Sequence, residues 1–414
     1  MIVLKNIITS QINSIFNFFY IGLIKFLNIG SKYILVGYLI RVFGENGYGT
    51  LTWVDSIVQY FIMVINFGFD LYAAKYIVEN KSNPKKLNEV ISSIYYIKSA
   101  LFLLCLLFLI PLSFNYQINT YINIIFLMLL LGIGEVLLPI WFFQGIEKMK
   151  TVTFITFSTK SLLIGLTLFF IKNDNDIALY IAFLVMTNIL CGVFGFFKMK
   201  NEIQFKFIPI SKPTLVKYLK EGYLFFIGKV STFMFNMGTL FIIGYFYSKG
   251  NVAGFDIAIK IVFVFIIPFE VLQQAIYPKI VRGMNKSNVK RILLYSFIIS
   301  VTMAFFTYFF SEKIITIFGG VTMVKYNYIL PIVLPLIPIV SLTIILGNCI
   351  MVANGYYKEY NRSLIATSLL FILFIIVLQI SNNLNFVNII LVRVFADLFL
   401  LLIRYYYCIR FKLI

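Results

Sequence analysis

Lys25, Lys32, Lys98, Lys160, Lys229, Lys260 and Arg393 all stand inside stretches of sequence that are otherwise apolar enough to lie in a bilayer. Each such charge costs about 3 kcal/mol at the centre of a lone membrane helix, so a chain that keeps several of them holds them toward a wet interior or toward partners. A path lined by fixed cations suits an anionic passenger. Lys25 and Lys32 are two helical turns apart, to within about 20°, and therefore share one helix face. Lys229 and Lys260 come from the second half of the chain, so the four charges are placed to converge from both halves. Competing readings are a pair with a nearby carboxylate, or snorkelling to an interface. For Arg393 the pair is the default, because Asp397 follows it at i+4.

Asp55, Asp70 and Glu135 are acids within apolar runs. A carboxylate in such surroundings can exchange a proton or hold a cation, which makes these three the candidates for coupling to H+ or Na+. The alternative is a salt bridge that changes partners between states. Catalytic chemistry has little to stand on. Histidine is absent, and the four cysteines, Cys105, Cys191, Cys349 and Cys408, form no CxxC pair. No metal site, cofactor or enzyme activity is expected.

The elements that must position these groups are membrane helices. Hydrophobic residues make up 61% of 414 and charged residues 12%, with a mean hydropathy of +0.95, beyond the range of soluble domains. The apolar runs reach about 20 residues, the length that spans hydrocarbon as a helix. The expected fold is an all-α polytopic membrane protein. About 12 transmembrane helices are expected, near 14–40, 51–77, 90–112, 120–143, 151–171, 177–197, 218–246, 253–278, 292–310, 326–352, 363–380 and 384–405. The first run continues past Gly30 without a cleavage site, so the first helix is expected to stay in the mature chain.

The longest polar stretch, from Lys198 to Lys220, separates an N-terminal six-helix lobe (1–205) from a C-terminal one (206–414), with a central cavity expected between them. An offset of about 205 residues aligns Gly49 with Gly254 and Asp55 with Lys260, as parallel repeats would. Most of the 35 Lys and Arg fall on the side of the N-terminus, which places both termini in the cytoplasm. The net charge of +19 follows from that asymmetry and implies contact with anionic lipid; nucleic acid is not needed to explain it. Pro139, and Pro331, Pro335 and Pro338, each remove a backbone hydrogen bond and mark helices that bend.

Several strings are more specific. Arg41-Val42-Phe43-Gly44 through Gly47-Tyr48-Gly49, Tyr60-Phe61 leading into Asn66-Phe67-Gly68-Phe69-Asp70, and Pro139-Ile140-Trp141-Phe142-Phe143-Gln144-Gly145-Ile146-Glu147-Lys148-Met149-Lys150 resemble the bacterial Wzx-type polysaccharide flippases. These belong to the multidrug, oligosaccharidyl-lipid and polysaccharide exporter superfamily. The resemblance implies a flippase that moves an undecaprenyl-diphosphate-linked oligosaccharide, the repeat unit of O-antigen or capsule, from the cytoplasmic to the periplasmic leaflet of the inner membrane by alternating access. The buried charges give an expected substrate-binding set of Lys25, Lys32, Lys229, Lys260, Arg41 and Arg393, and the resemblance implies a polysaccharide polymerase and a chain-length regulator as partners. Basic residues on helices one, two and eight are the pattern in the related lipid II flippases. Here helix two carries Asp55 and Asp70 instead, and the two extra helices of those relatives are not found. A multidrug antiporter of the same superfamily is one alternative, although cationic drugs favour an acidic cavity. A membrane polymerase or ligase is another, although no outward loop is long enough to hold a glycan.

Overall fold

The computed structural model describes residues 35–81 and 83–414, apart from the side chains of Leu71 and Leu224. Lys25 and Lys32 lie outside the described residues. Among the described residues the chain is helical throughout and contains no strand. α1 covers residues 35–66, turning at Gly44 (φ +67°), and α2 is Phe69–Glu79. α3 (Pro84–Ser113), α4 (Ile122–Gly145, in three pieces), α5 (Met149–Phe170), α6 (Ile177–Ile203) and α7 (Lys212–Phe246) follow. The chain continues with α8 (Lys249–Val281), α9 (Lys286–Phe309), α10 (Ile329–Met351), α11 (Tyr357–Ile380) and α12 (Phe386–Arg410).

Ten of the described helices are long and apolar enough to cross a membrane. In the apolar window of α9 only 17% of residues are buried by protein, and Leu294, Phe297, Ile298, Phe305 and Phe309 are exposed. So much contiguous apolar surface requires lipid to cover it. The chain is a multi-pass membrane protein.

Local sequence explains where the helices begin. Asn83 caps α3 through the Lys86 amide with Pro84 in the first turn, Ser248 caps α8 through Asn251, and Asn385 caps α12 through Asn388. Inside the spans, hydroxyls are satisfied by the carbonyl four residues back, as in Thr153 to Met149, Thr239 to Phe235 and Thr367 to Ser363. The polar stretch at Lys198–Lys220 is mostly helix: α6 runs to Ile203 and α7 starts at Lys212, because Lys and Glu extend helices past the membrane surface.

The helices pack as two compact units. The first holds residues 35–43 and Ile57–Lys229, the second Gly44–Ser56 and Val230–Ile414. The change of unit falls within α7, because the segment before it is fixed to the first unit. Phe205 and Phe207 pack with Tyr95 and Phe196 in an aromatic cluster, and the Ile208 amide donates to Ser92 Oγ at 3.2 Å.

The segment Gly44–Ser56 is anchored in the second unit. Trp53 is fully buried, donates from Nε1 to the Phe241 carbonyl at 3.0 Å, and has the Lys249 ammonium 3.2 Å from its ring centroid. Lys325 pairs with Glu45 at 2.6 Å, and that hydrogen bond raises the lysine pKa. A Cβ on Gly49 would sit 1.8 Å from the Lys249 carbonyl oxygen. Gly49→Ala is therefore expected to destabilise the purified protein by about 1–3 kcal/mol, the usual range for overpacking against backbone. A lowered melting midpoint in detergent checks it; an unchanged midpoint contradicts the packing.

Candidate functional site

Two clusters of charge lie within the spans, one in each unit. The first forms where α1 gives way to α2. Phe67 and Gly68 both have positive φ, +40° and +76°, so the helix is interrupted between Asn66 and Phe69. Glycine is required at 68 by its φ and by space, since a Cβ there would lie 2.9 Å from Phe225 Cβ and 3.0 Å from the Phe226 amide. The Phe67 ring stacks on Phe226 at 4.6 Å. Three residues further along each chain, Asp70 meets Lys229 at 2.5 Å. The stack sets the register, and the i+3 spacing brings the charges together on the same faces. Asp70 also lies in the first turn of α2, where the helix dipole favours an anion.

The other half of this cluster surrounds the bend in α4. Glu135 accepts from the Asn66 amide at 3.1 Å, and the Lys98 ammonium donates to the Glu135 carbonyl at 2.5 Å. Lys98 is only 2% exposed, and the charged groups that act on it are Asp70, Glu135 and Lys229. Two acids and two lysines are thus gathered from α2, α3, α4 and α7, with no net charge. Beside them, toward the start of α7, Tyr76 donates to the Glu221 carboxylate at 2.6 Å and Tyr72 donates to the same oxygen.

The second cluster is built on α8. Asp256 and Lys260 pair at i,i+4, and the buried Tyr48 hydroxyl stands between them, donating to Asp256 at 2.5 Å and accepting from Lys260 at 2.7 Å. Gly250 and Gly254 leave room for Tyr326, whose hydroxyl would be 2.2 Å from a Cβ on Gly250. Lys260 keeps a side-chain exposure of 21%, against 8% for Asp256, so the lysine is the more exposed member of the pair.

Arg393 and Asp397 form the expected pair, with NH2 2.9 Å from Oδ2, and both side chains are at most 5% exposed. The approach is too bent for an aligned hydrogen bond, and NH1 has no hydrogen-bond partner. The guanidinium covers the Phe235 ring at 4.8 Å. Farther along α12, Arg404 fills the wide turn of α10, where residues Ile345–Met351 are π-helical. It donates to the Thr343 carbonyl at 2.9 Å and to Ser363 Oγ at 3.3 Å and lies over Tyr360. A Cβ at Gly347 would come within 2.1 Å of its NH1.

Of the residues singled out from sequence, Asp70 and Lys229 meet directly, and Glu135 joins them through Asn66 and Lys98. Lys260 stands in the second unit. Arg41 is exposed and Asp55 half-buried. Sequence reasoning missed Asp256, although its i,i+4 spacing to Lys260 was a signal. It also missed Arg404, which looked like a residue at a span's end. Tyr72, Tyr76 and Glu221 gave no signal, being about 145 residues apart in the chain. Among the described residues no group of acids and cysteines could hold a metal ion.

Buried ion pairs in broken and π-bulged helices stand on an all-α, multi-pass membrane fold, and solved structures share that fold. A multidrug resistance MATE family transporter of the MOP superfamily in an inward-facing conformation superposes with a TM-score of 0.71 at 12% identity, covering 94% of each chain. The lipid II flippase MurJ in an inward closed conformation gives 0.66 at 14% identity, covering 97% of this chain and 87% of that one. Within that architecture the chain belongs to the polysaccharide biosynthesis protein family, whose sequence profile matches residues 14–284. A protein of Escherichia coli (strain K12) named for O-antigen transport is 26% identical over 84% of this chain and 86% of its own length. One from Shigella dysenteriae with the same name is 22% identical over 85% and 90%.

Proposed function

We propose that this protein is a flippase that carries undecaprenyl-diphosphate-linked oligosaccharide repeat units from the cytoplasmic to the periplasmic leaflet, by alternating access of two six-helix lobes, 1–205 and 206–414. It is not an enzyme in this reading, and it works in the bacterial inner membrane with both termini in the cytoplasm. The observation that carries the reading is the state of the intramembrane lysines. Lys229 and Lys260 are each paired with a carboxylate, yet their side chains remain 33% and 21% exposed. A lysine so placed can exchange its carboxylate for the diphosphate of a lipid carrier, holding it as a mobile point charge and then releasing it.

Lys25, Lys32 and Arg41 complete the basic set, while Arg393 serves mainly the packing of its own helix. Asp70 and Glu135, with Asp55, are the groups through which H+ or Na+ would drive the cycle, since a charge change at Asp70 alters the partner of Lys229. The relatives named for O-antigen transport support this substrate class over a cationic drug. A polysaccharide polymerase and a chain-length regulator would act on the delivered units.

Deleting the gene in its host and labelling spheroplasts with a membrane-impermeant lectin tests the reading. Complete single repeat units are expected to accumulate on the cytoplasmic leaflet. Accumulation on the periplasmic leaflet would indicate a missing polymerase or ligase and overturn it, as would no accumulation at all.

A further inference from the structure

The bend in α4 leaves a specific backbone atom in need of a donor. Proline has no amide hydrogen, so Pro139 cannot close the helical bond to the residue four back, which is Glu135. Leu138, before the proline, takes extended backbone (φ −77°, ψ 109°), as the steric clash with the proline ring dictates. The carbonyl of Glu135 is therefore stranded in an apolar span, where an unsatisfied carbonyl is costly. It is this oxygen that accepts from the Lys98 ammonium.

We propose that Lys98 is a positioning residue for the bend in α4: its ammonium replaces the amide donor that Pro139 lacks, and so fixes Glu135 beside Asn66 and Asp70. The burial of Lys98 in this polar corner, the identity of the carbonyl and the proline four residues on all follow from one arrangement. A lysine meant to bind a passenger would need an accessible ammonium, as at Lys229; Lys98 is 2% exposed and spends a hydrogen bond on backbone. The arrangement of the cluster then depends on Lys98 as the donor that holds the bend. Asp70 and Glu135 face it, with Lys229 as the second cation. The consequence for export rests on the flippase reading above; the backbone role does not.

The test is a double-variant cycle on protein purified in detergent, read as thermal melting midpoint and as accumulation in the membrane. Lys98→Met is expected to lower both. Lys98→Arg, which keeps a charged donor, should recover most of the loss. The diagnostic variant is Lys98→Met with Pro139→Ala, where alanine restores the amide that can reach Glu135 and is expected to suppress most of the Lys98→Met defect. If the losses simply add, or if Lys98→Met melts as the parent does, the proposal is wrong. These measurements need no glycan, so failure of the flippase reading would leave them unchanged, and export assayed separately in cells distinguishes the two.

Discussion

Arg393→Met is expected to destabilise the protein by roughly 3–5 kcal/mol, the range for removing one partner of a buried ion pair and stranding the other. Asp397 is 4% exposed, and among the described residues its direct ionic contact is with Arg393. With methionine at 393, the carboxylate stays in the interior of the second unit with the charge of Arg404, which is already engaged with Thr343 and Ser363. Asp397→Asn should cost less, because Arg393 keeps its contact with the Phe235 ring. Replacing both, as Arg393→Met with Asp397→Leu, removes the two desolvation costs together and should recover most of the stability. Unfolding of the purified protein by added SDS would give the three values. A double variant no better than Arg393→Met would show that the pair contributes more than mutual neutralisation.

That pair was legible in the sequence because both partners lie on one helix four residues apart. So were most of the helices themselves: the span expected at 253–278 became Lys249–Val281, longer at both ends, and the one expected at 384–405 became Phe386–Arg410, longer at its C-terminal end, because charged residues extend a helix into the headgroup layer; the connection expected between 40 and 51 is instead helical, α1 running from 35 to 66. Pro139 announced the bend in α4 by its chemistry. The break at Phe67–Gly68 did not announce itself, since Phe, Gly and Phe in an apolar run suit an unbroken membrane helix equally well. What sequence could not reach were pairings across helices. Asp70 and Lys229 are 159 residues apart, and only the packing of Phe67 on Phe226 brings them together. Lys98 looked like any other intramembrane lysine until the atom it bonds to was known. Arg404 was hidden for the opposite reason: a basic residue at a span's end normally snorkels, and nothing in α12 reveals the π-helical turn of α10 that encloses it.

Export is expected to fall at least tenfold when Lys260 is replaced by Gln, with the protein still inserted and accumulated. Lys260 is the most exposed side chain of the Tyr48, Asp256 and Lys260 group, and a charged hydrogen bond to a diphosphate is worth about 1.5–3 kcal/mol, which is roughly a factor of 10 to 150 in affinity. Lys260→Arg should retain more export than Lys260→Gln, because the charge is kept although its geometry changes. Simple neutralisation of Asp256 predicts something different. If Lys260 serves only to balance that carboxylate, adding Asp256→Asn to Lys260→Gln would restore export, since Tyr48 could then bridge two neutral amides. If Lys260 meets the passenger, the double variant remains inactive, because no cation is returned to α8. The polymer displayed on cells whose own gene is deleted, complemented at native expression, reads both outcomes. Restoration in the double variant would remove Lys260 from the binding set and leave Lys229 as the described lysine most able to hold the anion.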